Sequence, residues 1–254
     1  MIDLPRAFLK TPLAHRALHD VTNGRPENSR AAIQAAIDAG YGIEIDVQQS
    51  SDGAAMVFHD DLLDRLAESS GPIRDQSTAA LTTVTLRGGN DEGIPTLPEV
   101  LELVNGQVPV LIEIKDQDGA MGPNIGVLER SVARDVEGYQ GPLALMSFNP
   151  HSVRLIAQLL PDVPRGLTSG PMTSDFWTYL PDEARAHIRA IPDFDDVGAS
   201  FISHQMQDLA APRVAELKDQ GAAILCWTVK SAEQEQEARL VADNITFEGY
   251  LAEH

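Results

Sequence analysis

The chain of 254 residues carries 38 acidic against 19 basic side chains, a formal net charge of −19, and such a surface argues against nucleic acid or anionic membrane as a partner. With 43% hydrophobic and 22% charged residues the composition argues against a disordered chain, and the length fits one (β/α)8 barrel or a doubly wound α/β domain with a sizeable core. The single cysteine, Cys226, excludes an internal disulfide and reads as a core residue; with no basic-then-apolar leader and no run of ~18 apolar residues, a soluble, cytoplasmic protein is expected.

Taken in chain order, short apolar runs rich in β-branched residues alternate with longer stretches of helical period. The pattern predicts a strand over 13–16, a helix over 29–39 capped by Asn28 or Ser29 and stopped by Gly40, and a strand over 42–47. Residues 60–94, with SSGPIRD, a Thr-rich run and RGGNDEG, break this rhythm and read as a small insertion over the barrel mouth. Beyond it come helix 97–104, strand 110–115, helix 127–137, strand 143–148, helix 152–160 and strand 165–168. Helix 183–190, strand 197–202, helix 211–219, strand 224–229, helix 233–241 and strand 244–247 complete the series. Eight such units in one domain, 1–254, predict an α/β fold closed as a (β/α)8 TIM barrel.

The second strand has a further feature. Asp52-Gly53 is a two-residue hairpin signal flanked by apolar alternation, so the strand should fold back on itself. A turn centred on those two residues makes paired positions sum to 105, which sets Asp46 opposite His59. Glu44 shares that face, because strand side chains repeat every second residue.

In barrel enzymes chemistry collects at the C-terminal ends of the strands. The polar residues expected there are His15, Arg16, Glu44, Asp46, His59, Glu113 and Lys115. Burying that many ionisable groups is too costly unless they bind one another or a ligand. Three converging carboxylates suit a hard divalent cation, Mg2+ or Ca2+, better than zinc. Two histidines suit proton transfer in and out, and Arg16 with Lys115 suits a phosphoryl group, the local positive cluster that an acidic protein needs for an anionic substrate.

Several words of the sequence then fall in a familiar order: AHRA, PENS at 26–29, GIEIDVQQSSDG, VFHDDLLDR, IPTLPEVL, IEIK, SFNP and CWTV. From about Leu13 to Val229 the chain resembles the glycerophosphodiester phosphodiesterase family. That resemblance implies a TIM barrel with a small insertion after the His-Asp motif. It implies His15 and His59 as the acid/base pair, Glu44, Asp46 and Glu113 as metal ligands, and Arg16 and Lys115 as phosphate contacts, with Glu27 near the site. The implied reaction is metal-dependent hydrolysis of a small-molecule glycerophosphodiester through a cyclic phosphate to sn-glycerol 3-phosphate and an alcohol. The chain departs from the family at Ala17, usually glycine, and at Thr246-Phe247, usually Thr-Asp. The first departure bears on the phosphate's approach to backbone and the second on how the last loop is anchored.

Phe148 and Trp227, at strand ends, read as pocket or core residues, and His151 as a helix-opening residue. His19, His187, His204 and His254 read as loop, helix or tail residues without partners, 233–237 as a solvated helix face and 171–177 as a loop over the rim. Competing readings are a phospholipase D-like or C-like lyase releasing a cyclic phosphate, a metal-dependent sugar isomerase, which has no use for Arg16 and Lys115, and a non-catalytic phosphodiester-binding barrel. Lack of an amphipathic membrane-binding stretch argues against stable membrane association. The sequence is silent on oligomeric state.

Overall fold

A computed structural model describes residues 2–254; Met1, the first residue of the expected 1–254 domain, lies outside them. The chain begins with helix α1 (Ala7–Lys10), strand β1 (Leu13–Ala14), helix α2 (Arg30–Ala39) and the hairpin β2 (Gly42–Gln49) and β3 (Ala55–Val57). Short helix α3 (Thr78–Leu81) and helix α4 (Leu97–Val104) lead to β4 (Val110–Ile114). Strands and helices then alternate: α5 (Val127–Val136), β5 (Leu143–Ser147), α6 (Pro150–Leu159), β6 (Arg165–Ser169), α7 (Asp182–Ala190) and β7 (Phe201–Gln205). The series ends with α8 (Pro212–Asp219), β8 (Ala223–Val229), α9 (Ala232–Ala238) and β9 (Asn244–Phe247).

Each crossover helix starts and stops for local reasons. Ser29 Oγ accepts the Ala32 N–H at 3.1 Å to cap α2, and Gly40 at φ 76° ends it. Thr96 and Glu99 form a reciprocal capping box at α4. Buried faces of α2, α4, α5, α6, α8 and α9 share one core with outward-facing strand residues such as Ile43, Ile45, Val110 and Ile112.

β1 pairs in parallel with both β2 and β9, which closes eight parallel strands into a ring; β3 adds to β2 outside it, antiparallel. The inward positions change character along the strands. Leu13, Leu111, Ala144, Phe201 and Leu225 join Phe8 of α1 in an apolar plug, whereas His15, Glu113, Ser203 and Trp227, two residues further along, line a cavity. The plug faces the N-terminal ends of the strands and the cavity their C-terminal ends. Among the described residues no helix is long and apolar enough to cross a membrane.

Three expectations change. The hairpin pairs Val47 with Val57 and Gln48 with Met56, a sum of 104 rather than 105. Its loop holds three residues, with Ser50 N–H bonded to Ala54 O at 3.0 Å and Gly53 left-handed at φ 82°, so Asp46 O receives the Phe58 N–H and His59 lies beyond the ladder. The sixth parallel strand, β7, begins at Phe201, not at 197, because Gly198 turns left-handed at φ 61° and Val197 O is bonded by Arg165 Nε. His204 is then a strand residue, 1% exposed, between Ser169 Oγ at 2.8 Å and Asp208 at 3.2 Å. His187 also has a partner, Asp193 at 2.5 Å, His19 has Glu248 at 3.7 Å, and His254 stacks on Tyr41. Residues 58–94 contribute Phe58, Leu63, Ala67, Ile73, Leu81, Leu86 and Ile94 to a separate small core, which the irregular sequence did not announce.

Candidate active site

The cavity at the C-terminal ends of the strands has a volume of about 950 Å3. Strands β2 and β4 supply its floor, where the register sets Asp46 beside Glu113. Glu44, two residues before Asp46, falls on the same inward face. One oxygen from each of these three carboxylates lies within 4.8 Å of the others, and all three side chains are buried.

Charges so placed cannot all remain as they would in water. Burial, with repulsion from Asp46 and Glu113, pushes the Glu44 carboxyl well above its ordinary range. Burial opposes ionisation of Asp46 too, but the nearby Lys115, His59 and Arg16 outweigh it and hold Asp46 ionised. Lys115 Nζ lies 2.7 Å from Asp46 and 2.5 Å from Glu113, and those two anions overcome burial to raise its proton affinity.

Arg16 sits just past β1 in a left-handed conformation, φ 53°, that turns its N–H to Glu44 Oε2 at 3.0 Å. Its Nη1 donates to Glu27 at 2.7 Å, and Arg65 of the insertion reaches the same Glu27 at 2.8 and 3.0 Å. Glu27 therefore lines the mouth as a bridge between two arginines. The buried Nε of Arg16 and the buried hydroxyls of Ser203 and Thr246, all from cavity-lining residues, have no hydrogen-bond partner among the described residues.

Both histidines named from sequence line the cavity. Each has a carboxylate at Nδ1: His15 meets Glu248 at 2.6 Å, and His59 meets Asp60 at 2.6 Å. Asp60 is gripped in turn by Arg65 through two bonds of 2.7 Å. Burial is the main cause lowering the proton affinity of His15, with Arg16 acting the same way and Glu248 opposing. The far wall is aromatic. Phe148 packs on Trp177 at 4.9 Å and on Trp227 at 5.7 Å, and the Trp227 indole donates to Ser203 O at 3.0 Å. Ala17, by contrast, is 2% exposed in the core and is not among the cavity-lining residues.

The structure thus brings together His15, Arg16, Glu27, Glu44, Asp46, His59, Glu113, Lys115, Phe148 and Trp227 around one cavity. Sequence reasoning missed Asp60, Arg65 and Glu248. Asp60 and Arg65 stood in the quoted VFHDDLLDR word, so the signal was present there. For Glu248 the clue was weaker: Phe247 is buried against Tyr41 and Tyr250, and the carboxylate is carried by the next residue.

A family model for the glycerophosphoryl diester phosphodiesterase family matches residues 15–244. A glycerophosphodiester phosphodiesterase from Caldanaerobacter subterraneus subsp. tengcongensis is 32% identical over 151 residues, 56% of this chain and 60% of its own length. A Bacillus subtilis relative provisionally named for the same activity is 26% identical over 238 residues, 91% of this chain and 89% of its own. Among solved structures, an Oleispira antarctica phosphodiesterase in complex with its product sn-glycerol-3-phosphate superposes with a TM-score of 0.76 at 23% identity, covering 95% of this chain and 94% of the other. At that identity the likeness speaks for the fold.

Proposed function

The chain belongs to the glycerophosphoryl diester phosphodiesterase family, and from that premise we propose that it hydrolyses glycerophosphodiesters to sn-glycerol 3-phosphate and an alcohol, using His15 and His59 for proton transfer. What supports the reading is the convergence, in one cavity, of those two histidines, three buried carboxylates and two cations. Residues 1–254 act as one catalytic domain, with 60–94 forming part of the rim.

The donor set fits a metal. Burial, together with three carboxylate oxygens within 4.8 Å of one another, raises the Glu44 carboxyl well above its ordinary range, a penalty that a hard divalent cation would remove. Glu44, Asp46 and Glu113 would hold Mg2+ or Ca2+, which would neutralise charge developing on the phosphoryl oxygens. Arg16 and Lys115 hold the phosphoryl group, Arg16 through Nε, which lies 3.7 Å from Asp46 and makes no hydrogen bond among the described residues. One histidine accepts the proton of the glycerol 2-hydroxyl as its oxygen bonds to phosphorus, and the other gives a proton to the departing alcohol oxygen. Water then opens the five-membered cyclic phosphate with the proton movements reversed.

The test is release of glycerol 3-phosphate from glycerophosphocholine and glycerophosphoethanolamine, with EDTA and with Mg2+ or Ca2+ restored. Turnover that needs metal and falls by ~10²–10⁴ in His15→Ala and in His59→Ala is expected. A cyclic phosphate as the final product would replace hydrolysis by the lyase reading, and failure of folded, metal-loaded protein on either diester would remove the hydrolase reading for these substrates.

A further inference from the structure

Glu248 is the first residue beyond β9, and three groups meet at its side chain. Oε2 lies 2.6 Å from His15 Nδ1 and 3.7 Å from His19 Nε2, and Oε1 lies 2.6 Å from Lys230 Nζ. The side chains of His15 and Glu248 are 14% and 20% exposed, so the contact is largely shielded from water. Both residues are also fixed through the backbone: the His15 N–H bonds Phe247 O at 2.8 Å, and the Glu248 N–H bonds Val229 O at 3.0 Å. Two anchored strand ends, rather than two mobile side chains, define the pair.

We propose that Glu248 is the positioning residue for His15, holding the imidazole with its hydrogen on Nδ1 so that an unprotonated Nε2 is presented to the cavity. This rests on the reading of His15 as a proton-transfer group. An ionised carboxylate only accepts hydrogen bonds, so the nitrogen facing it must carry the hydrogen. Glu248 is ionised: His15, His19 and Lys230 hold its carboxyl far below the usual range. A neutral ring bonded in this way has one tautomer, and its free lone pair is on Nε2. Lys230 Nζ meets the second oxygen at 2.6 Å, so the oxygen that faces His15 is Oε2.

His59 has the same arrangement from a different source. Its carboxylate is the adjacent residue Asp60, locked by Arg65 of the insertion. His15 receives its partner from the opposite end of the chain, 233 positions away. The two acid/base groups are therefore buttressed independently, and the one that follows β1 depends on the ring being closed.

The test compares wild type, Glu248→Gln and Glu248→Ala for kcat and KM, and reads the His15 tautomer by 15N NMR of histidine-labelled protein, with His15→Asn used to assign the signal. Wild type is expected in the Nδ1–H form. The glutamine amide can donate to Nδ1 and so favours the opposite tautomer, which makes Gln no better than Ala despite its matching shape. The expected result is a fall in kcat of about 100-fold or more in both variants with KM within about 3-fold, and a His15 signal moved to the Nε2–H form in Glu248→Gln. Near-wild-type kcat in Glu248→Gln would mean that only packing is at stake and would overturn the proposal. So would an Nε2–H tautomer in wild type, a result that needs no variant to fold. Inactive wild type with the Nδ1–H form intact would instead sink the phosphodiesterase reading while leaving the His15–Glu248 pair standing.

Discussion

Asn28 sits at φ 59°, in the left-handed region that asparagine tolerates better than most side chains. From there its amide meets buried Asp46 twice: Nδ2 donates to Oδ2 at 2.9 Å, and Oδ1 accepts the Asp46 N–H at 3.3 Å. Asn28→Ala leaves a buried carboxylate short of a donor and puts alanine in a strained conformation, so a loss of about 2–3 kcal/mol is expected. Urea denaturation measures it, and an unshifted midpoint would mean that Asp46 does not depend on the amide. At this scale the sequence is readable where a residue is anomalous. A charge inside a buried β run, as at Glu44, Asp46, Glu113 or Lys115, demands a reason, and period-two spacing gives its face. Asn28 is not anomalous in a Pro-Glu-Asn-Ser turn, where capping accounts for it equally well. Glu248 lies past the last predicted strand, and its role becomes visible only with the contact it makes across the ring.

Among the elements, the β2–β3 hairpin shows how one residue of loop length redirects a site. A three-residue turn slides the pairing sum to 104, and Phe58 rather than His59 then faces Asp46; Phe58 enters the small core of residues 58–94 and His59 is released toward the cavity. Asp52 ties that loop to α3, where its Oδ1 accepts from Ser50 Oγ at 2.7 Å, Thr78 Oγ1 at 2.7 Å and Thr78 N–H at 2.9 Å. These bonds, led by the one from Thr78 Oγ1, lower the Asp52 carboxyl from 3.8 to about 2. A folded-state value below the unfolded one gives stabilisation that is complete above pH ~4 and disappears as pH falls through about 2. Asp52→Asn should therefore flatten the acid limb of the stability curve between pH ~4 and ~2, followed by denaturant midpoints across that range; identical limbs would show that Asp52 is not linked to folding. The sixth parallel strand, β7, illustrates the opposite difficulty. The run VGASFI reads as one apolar strand, yet Val197 and Ala199 are buried in a turn, and burial without periodicity does not distinguish the two.

For the molecule as a whole, 38 acidic against 19 basic side chains set a repulsive field around a site proposed to take an anion. The field is felt over roughly a Debye length, ~10 Å at 0.1 M salt and ~30 Å at 0.01 M. For a diester with a net negative charge, such as glycerophosphoglycerol, kcat/KM should rise several-fold as ionic strength increases from ~0.01 to ~0.2 M. For zwitterionic glycerophosphocholine it should stay nearly flat, and parallel salt curves for the two would show that the global charge does not reach the mouth. The barrel itself was legible because eight βα repeats leave few other closures.

Closure of that barrel has a consequence in time. β1 is paired on one side by β9, and the His15 N–H is bonded by Phe247 O, so a residue made early is completed by residues made more than two hundred positions later. A nascent chain that stops short of Asn244 has its carboxylate-bearing strands β2 and β4 already made while His15 still lacks its backbone partner. Synthesis thus runs from carboxylate floor to histidine wall, and the cavity is complete only once β9 is in place.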